Sequence, residues 1–300
     1  MLALKVDVDT ERGTRIGVPN LLRLFDDLDV KATFLFSLGP DNTGRAIRRI
    51  FRPGFFGKVS RTNVVATYGL GTLLNGVLWP GPHIGHRHEG LLRAVCAAGH
   101  EVGIHCYDHV RWQDGLASMT PSQVTDEFGR ARAEFERIFG TPARIAGAAG
   151  WQANRASLAA YDAAGLDYAS DTRGTAPFFP STGSTVFRTL QIPTTLPTLD
   201  ELLGRPEYPV GQLVDRYLSW LNARETQVYT AHAEIEGMPQ IDLFRTLIVR
   251  VREHGRRVTA LGDIAHLCLA RRASIPVCPL MAGEIDGRSG TLALQGQVGT

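Results

Sequence analysis

Short apolar runs alternate with helical stretches along most of the 300-residue chain, and that alternation constrains the fold more than any other feature. LALKVDVD (2–9), ATFLFSL (32–38), EVGIH (101–105), RIAGAA (144–149), DYASD (167–171), QVYTAH (227–232) and RRVTAL (256–261) read as strands. Helices are predicted over 20–28, 91–99, 121–139, 154–164 and 241–254, with a last one ending near 270. Pro19 suits the first turn of the first helix, and Gly99, Gly140 and Gly165 stop three of the others. Thr120 followed by Pro121 marks the start of the helix over 121–139. Strands that alternate with helices predict parallel βα units, and about seven of them in one chain suit a (β/α) barrel better than an open sheet. The chain reads as one domain over 1–300, with a Gly-rich tail over 279–300 expected to be loose.

Composition removes several function classes. At 44% apolar residues the chain can bury a substantial core, and a net charge of +2 argues against a dedicated nucleic-acid binder. The four cysteines form no CxxC pair, as expected of a reducing compartment. MLALKVDVDT lacks the apolar run of a signal peptide, so a cytoplasmic location is expected.

Polar and titratable residues gather at the strand ends. Asp7 and Asp9 close the first strand, His105 and His109 follow the third, Gly150 and Trp151 follow RIAGAA, Asp171 ends DYASD and His232 ends QVYTAH. In a βα barrel these ends share one rim, where catalytic groups collect. Taken singly, each has an ordinary reading: an Asp as a helix cap, a His as a structural residue. Five ends together point to a site. Asp7 and Asp9 fall on the same side of their strand, where two carboxylates repel unless a cation or proton lies between them. His105 and His109 are four apart, so a helical turn after Cys106 lets both imidazoles reach one ion. HCYDH is not the HExxH of metalloproteases, because Cys106 stands where the Glu would be. His83, His86 and His88 lie in a Gly/Pro-rich stretch and are read as loop residues.

Two histidines and one carboxylate suit Zn²⁺, with cobalt, manganese or nickel as alternatives. The same set serves iron oxygenases, whose β jelly-roll does not suit this βα alternation. Three protein ligands leave positions open for water and a substrate oxygen. The remaining carboxylate can then take a proton, and a histidine across the site can give one to a leaving nitrogen. That is the machinery of metal-assisted amide hydrolysis.

VDVD (6–9), HCYDH (105–109), AAGW (148–151), SDTRG (170–174) and YTAHAE (229–234) resemble the successive motifs of the polysaccharide deacetylase, or NodB-homology, family. The resemblance implies an irregular (β/α) barrel with Asp7 as general base, Asp9, His105 and His109 as metal ligands, and His232 as general acid. It also implies that Asp171 holds His232 and that a backbone N–H near Gly150 or Trp151 completes an oxyanion site. Longer stretches, among them TLPTLDE and YTAHAEIEGM, resemble one branch of that family, which removes a formyl group from 4-deoxy-4-formamido-L-arabinose on undecaprenyl phosphate. The implied setting is the aminoarabinose modification of lipid A that confers polymyxin resistance. One departure is plain: the arginine that braces the family's catalytic Asp is missing from AGAAGW, with Arg155 or Arg173 as candidate substitutes.

The stretch over 42–88 reads as an insert. It holds no acidic residue and carries Arg45, Arg48, Arg49, Arg52, Lys58, Arg61 and Arg87. VVATYGLGTLLNGVLW (64–79) is strongly apolar, yet too short and Gly-rich to span a bilayer, which takes ~20 residues. A basic stretch beside an apolar one with Tyr68 and Trp79 suits lying on an anionic membrane surface. A buried hairpin covering the barrel is the other reading. The expected location is therefore peripheral, on the cytoplasmic face of the inner membrane, with Arg12 and Arg15 as candidate contacts for the substrate phosphate. Two rivals stand beside the deformylase: a soluble amino-glycan N-deacetylase, and a non-catalytic protein that binds lipid-linked sugar.

Overall fold

β1 (Leu2–Val8) is buried along its whole length, polar Lys5 and Asp7 included. Burial on both faces is the mark of a central parallel strand, and β1 organises the rest. The computed structural model describes residues 1–46, 72 and 74–298. β2 (Thr33–Ser37), β3 (Glu101–Cys106), β4 (Ile145–Ala146), β5 (Tyr168–Ala169), β6 (Phe179–Thr182), β7 (Thr185–Val186) and β8 (Leu190–Gln191) follow in the chain. β9 (Gln227–His232), β10 (Val258–Ala260), β11 (Val277–Gly283) and β12 (Leu292–Gln295) complete the described strands.

Seven parallel strands, in the order β9-β1-β2-β3-β4-β5-β8, make a curled half-barrel. β9 runs along one edge of β1. β10 takes Leu2–Leu4 on the other edge, and β2 takes Lys5–Val8. β8 and β9 are not joined by a ladder. Instead the amides of Thr195 and Leu196 both reach the Val228 carbonyl at 3.2 Å, and the hydroxyls of Thr194 and Thr230 meet at 2.7 Å. The carboxyl ends of the strands therefore share one rim, as the alternation predicts.

The helix Pro121–Phe139 forms where its caps require: Thr120 and Gln123 make a reciprocal capping box, and Gly140 ends it at φ 72°. It buries Val124, Phe128, Ala131, Phe135 and Ile138 against the core. Two expectations are corrected. The helix predicted from 91 runs over Ile84–Ala97, so His86 is helical, His83 is its N-cap, and His88 sits at a kink within it, at φ -121° and ψ 20°. Gly85 is no helix breaker: a Cβ there would lie 2.5 Å from Glu134 Oε1 and 2.7 Å from the Leu38 carbonyl, so the glycine marks close packing. The tail after Cys278 is not loose over its described residues. β11 pairs with β6 and with β12, and a second sheet β12-β11-β6-β7 results. Its glycines serve the hairpin turn, where Gly287 and Gly290 take φ of 83° and 81°.

Most of the predicted insert (47–71 and 73) lies outside the described residues, and with it most of the apolar run. At its end Val77, Leu78 and Trp79 are exposed. Among the described residues no helix is long and apolar enough to cross a membrane.

Candidate metal centre and active site

Alternation along β1 sends Lys5, Asp7 and the following Asp9 to one side, toward the rim. His105 closes β3. Asp108 then caps the helix His109–Gly115, accepting the Arg111 N–H at 3.0 Å, and this turn brings His109 back over His105. Asp9 Oδ1 lies 3.2 Å from His105 Nε2 and 3.4 Å from His109 Nε2. Donor atoms around a tetrahedral Zn²⁺ sit about 3.3 Å apart, so the spacing fits.

The hydrogen bonding fits as well. His105 Nδ1 donates to the Gly147 carbonyl at 2.6 Å, which turns the other ring nitrogen, Nε2, toward Asp9. Asp9 Oδ1 is buried and has no hydrogen-bond partner. Lone pairs converging on one point repel unless a cation joins them. Burial pushes Asp9 up, but His109 and His105 reverse it and hold the carboxyl well below the ordinary carboxylate range. Burial lowers His105, yet Asp7 and Asp9 raise it overall, and a cation would meet the same negative field. The residues present fit a divalent ion.

Asp7 sits beside this cluster, almost fully buried. Its Oδ2 pairs with Lys5 Nζ at 3.3 Å. Its Oδ1 has no hydrogen-bond partner and lies 3.8 Å from His105. Neither candidate arginine braces it. Arg155 points away, to the Thr182 carbonyl, while Arg173 binds Glu201 at 2.6 Å and the Leu196 carbonyl at 2.9 Å.

His232 stands at the register position opposite Asp7, on the neighbouring strand. Its buried Nδ1 makes no hydrogen bond, and a carboxylate oxygen of Asp200 lies 4.0 Å from it. Asp171, expected to hold His232, accepts from the Ala148 N–H at 2.7 Å and from Gln191 Nε2 at 2.9 Å. Asp171 therefore anchors the turn that carries Gly150 and Trp151, and burial raises its pKa. Burial lowers His232, but Asp200 first, then Asp9 and Asp7, raise it overall.

Gly150 and Trp151 both take positive φ, at 63° and 53°. The Trp151 N–H is engaged by the Ala148 carbonyl at 3.2 Å. Its indole donates to Thr194, faces His232 edge-on at 6.2 Å, and is covered by Arg288 at 4.4 Å. Arg288 also reaches Asp200 and Glu201, each at 3.5 Å. Of the two candidate phosphate contacts, Arg15 is half exposed and paired with Glu11, whereas Arg12 has a buried Nε with no hydrogen-bond partner.

Sequence reasoning missed Lys5, Asp200 and Arg288. Lys5 was recoverable from the i, i+2, i+4 spacing of Lys5, Asp7 and Asp9. Asp200 lies on the short helix Leu199–Leu202, away from any strand end, and Arg288 lies in a stretch read as tail.

Comparison with known proteins shows the family. The polysaccharide deacetylase family profile matches residues 7–169. The chain is 36% identical over 294 residues, 98% of its length and 94% of the relative's, to a protein of Shewanella sediminis (strain HAW-EB3). That relative is named a probable 4-deoxy-4-formamido-L-arabinose-phosphoundecaprenol deformylase ArnD. A protein of the same name from Wigglesworthia glossinidia brevipalpis is 32% identical, over 95% of this chain and 99% of the relative. Among solved structures, a polysaccharide deacetylase of Mycobacterium smegmatis superposes with a TM-score of 0.65 at 18% identity, covering 95% of this chain and 94% of that one, which supports the fold. The chain belongs to the polysaccharide deacetylase family, in its ArnD-like branch.

Proposed function

We propose that this protein is a metal-dependent hydrolase that removes the formyl group from 4-deoxy-4-formamido-L-arabinose carried on undecaprenyl phosphate. The observation that carries the chemistry is the convergence of Asp9, His105 and His109 beside Asp7 and His232. The near full-length identity to the two deformylases supports the substrate.

Asp9, His105 and His109 would hold the cation, with zinc the first candidate and cobalt, manganese or nickel behind it. Such an ion supplies Lewis acidity toward an amide oxygen and toward water. Asp7, with Oδ1 unpartnered and Oδ2 tied to Lys5, takes the proton from the attacking water. His232, with Nδ1 facing Asp200, has Nε2 left to protonate the departing sugar amine. Gly150 would offer a backbone N–H to the developing oxyanion, a reading supported by the engagement of the Trp151 N–H with the Ala148 carbonyl. Trp151 walls the acyl pocket. A pocket that merely contracts separates formyl from acetyl by only ~1–3 kcal/mol, so some acetyl turnover is expected.

Arg12, with its unpartnered Nε, is the first candidate for the substrate phosphate, ahead of the exposed Arg15. The basic and apolar composition of 42–88, ending in exposed Val77, Leu78 and Trp79, supports contact with an anionic membrane surface. On this reading the protein works at the cytoplasmic face of the inner membrane, where a polyprenyl-linked sugar would be met.

The test is incubation of metal-loaded protein with formamido-arabinosyl undecaprenyl phosphate, with acetylated chitooligosaccharides in parallel. Formate from the lipid is expected. Acetate from the oligosaccharide, with no formate from the lipid, would make this a soluble amino-glycan deacetylase instead.

A further inference from the structure

We propose that Lys5 is the positioning residue for the catalytic carboxylate, supplying from β1 itself the brace that the sequence lacks after β4. The inference rests on the role given to Asp7 above. Lys5 is fully buried, and lysine is almost never so unless paired. Its ammonium donates to the Ser170 carbonyl at 2.9 Å, pairs with Asp7 Oδ2 at 3.3 Å, and sits 5.3 Å from the centre of the Trp151 ring. Gly147 packs beside the lysine stem: a Cβ there would clash with Leu35 Cδ1 at 2.3 Å and would only touch Lys5 Cε, at 3.4 Å.

Two consequences follow from this geometry. With Oδ2 held by the lysine, the carboxylate presents Oδ1, which is buried, unpartnered and on the His105 side. The lysine thus selects which oxygen is the base and where it points. Asp7 and Asp9 are also two negative groups on one side of one strand, and Lys5 is the positive charge next in that row. The same ammonium ties the base to the pocket wall. Ser170, which accepts from Lys5, precedes Asp171, which holds the Ala148 N–H at the start of the Gly150–Trp151 turn. A lysine rising from β1 reaches Asp7 from below the site and leaves the rim open to substrate.

The experiment compares wild type, Lys5→Met, Lys5→Arg and Asp7→Asn for formate release, metal content and melting temperature. Lys5→Met is expected to lower kcat about 10- to 100-fold, the usual effect of removing an orienting partner, with KM within about threefold and one metal per chain retained. Lys5→Arg is expected to recover most of the loss, because charge and reach are kept. If Lys5→Met does not fold, Lys5→Gln, which keeps a donor but no charge, takes its place with the same expectation. Wild-type kcat in the neutral variant while Asp7→Asn is inactive would overturn the role of Lys5 and leave the proposed function standing. A loss confined to KM, or no recovery in folded Lys5→Arg, would also overturn it. An inactive wild type would overturn the proposed function, and with it the brace.

Discussion

Two clusters in this chain share a composition, two histidines and a carboxylate whose ligand atoms lie within 4.8 Å of one another: Asp9 with His105 and His109, and Glu134 with His83 and His86. They differ in what already satisfies the carboxylate. Asp9 Oδ1 faces two imidazoles and has no hydrogen-bond partner. Glu134 is gripped by Arg137, which donates to Oε1 at 2.8 Å and to Oε2 at 3.0 Å. Burial pushes Glu134 up, and the guanidinium pulls it below its ordinary value. His83 is likewise occupied, with Nδ1 capping the helix and Nε2 against the Tyr107 hydroxyl at 3.2 Å. Burial and the neighbouring His86 lower its pKa, and His86 itself is mostly exposed. The arginine supplies the positive charge that a metal would otherwise bring. Ligand types and spacing therefore nominate a metal centre, and the unsatisfied buried carboxylate selects between the two.

Breaking the first cluster should cost the most. Asp9→Asn or His105→Ala is expected to abolish metal binding and to cut formate release more than about 10⁴-fold, since the ion and everything it polarises are lost together. Elemental analysis beside the turnover assay checks it, and retained metal in either variant would dissolve the contrast between the clusters. Asp7→Asn is expected to lose about 10²–10⁴-fold in kcat while keeping the metal, which separates the base from the ligand set. Asp200→Asn should cost about 10–100-fold through His232, with metal content unchanged. A comparable loss in Asp171→Asn, with Asp200→Asn unaffected, would return the partner role to Asp171. The smallest effect belongs to the second cluster. The double variant His83→Ala, His86→Ala should stay within about twofold of wild type in turnover and metal content, losing about 0.5–2 kcal/mol of stability with the helix cap. Halved metal content would show that both clusters bind an ion.

The parallel architecture and most of the site were legible because strand ends and helix caps are local signals. Thr120, Pro121 and Gly140 bound one helix within their own sequence neighbourhood, and the period of two puts Asp7 and Asp9 on one side. What was not legible depends on distant chain. The carboxylate 4.0 Å from His232 Nδ1 comes from Asp200, on a four-residue helix between β8 and β9, and no periodicity marks it. The cover over Trp151 comes from Arg288, in a Gly-rich stretch whose strands gain their pairing from β6, a hundred residues earlier in the chain. The Gly/Pro-rich stretch around His83 and His86 misled for a related reason: a glycine such as Gly85 marks both turns and close approaches, and only the position of Glu134 tells which. Lys5 is the opposite case, its pattern plain along β1 but masked by the rarity of buried lysine.

Metal content of the purified full-length chain, measured for wild type and Asp9→Asn after dialysis against trace divalent metal, bears most directly on the centre described here. One equivalent per chain in the wild type and none in Asp9→Asn is the expected result. An equivalent that survives in Asp9→Asn, or that disappears when only His83 and His86 are replaced, would contradict it.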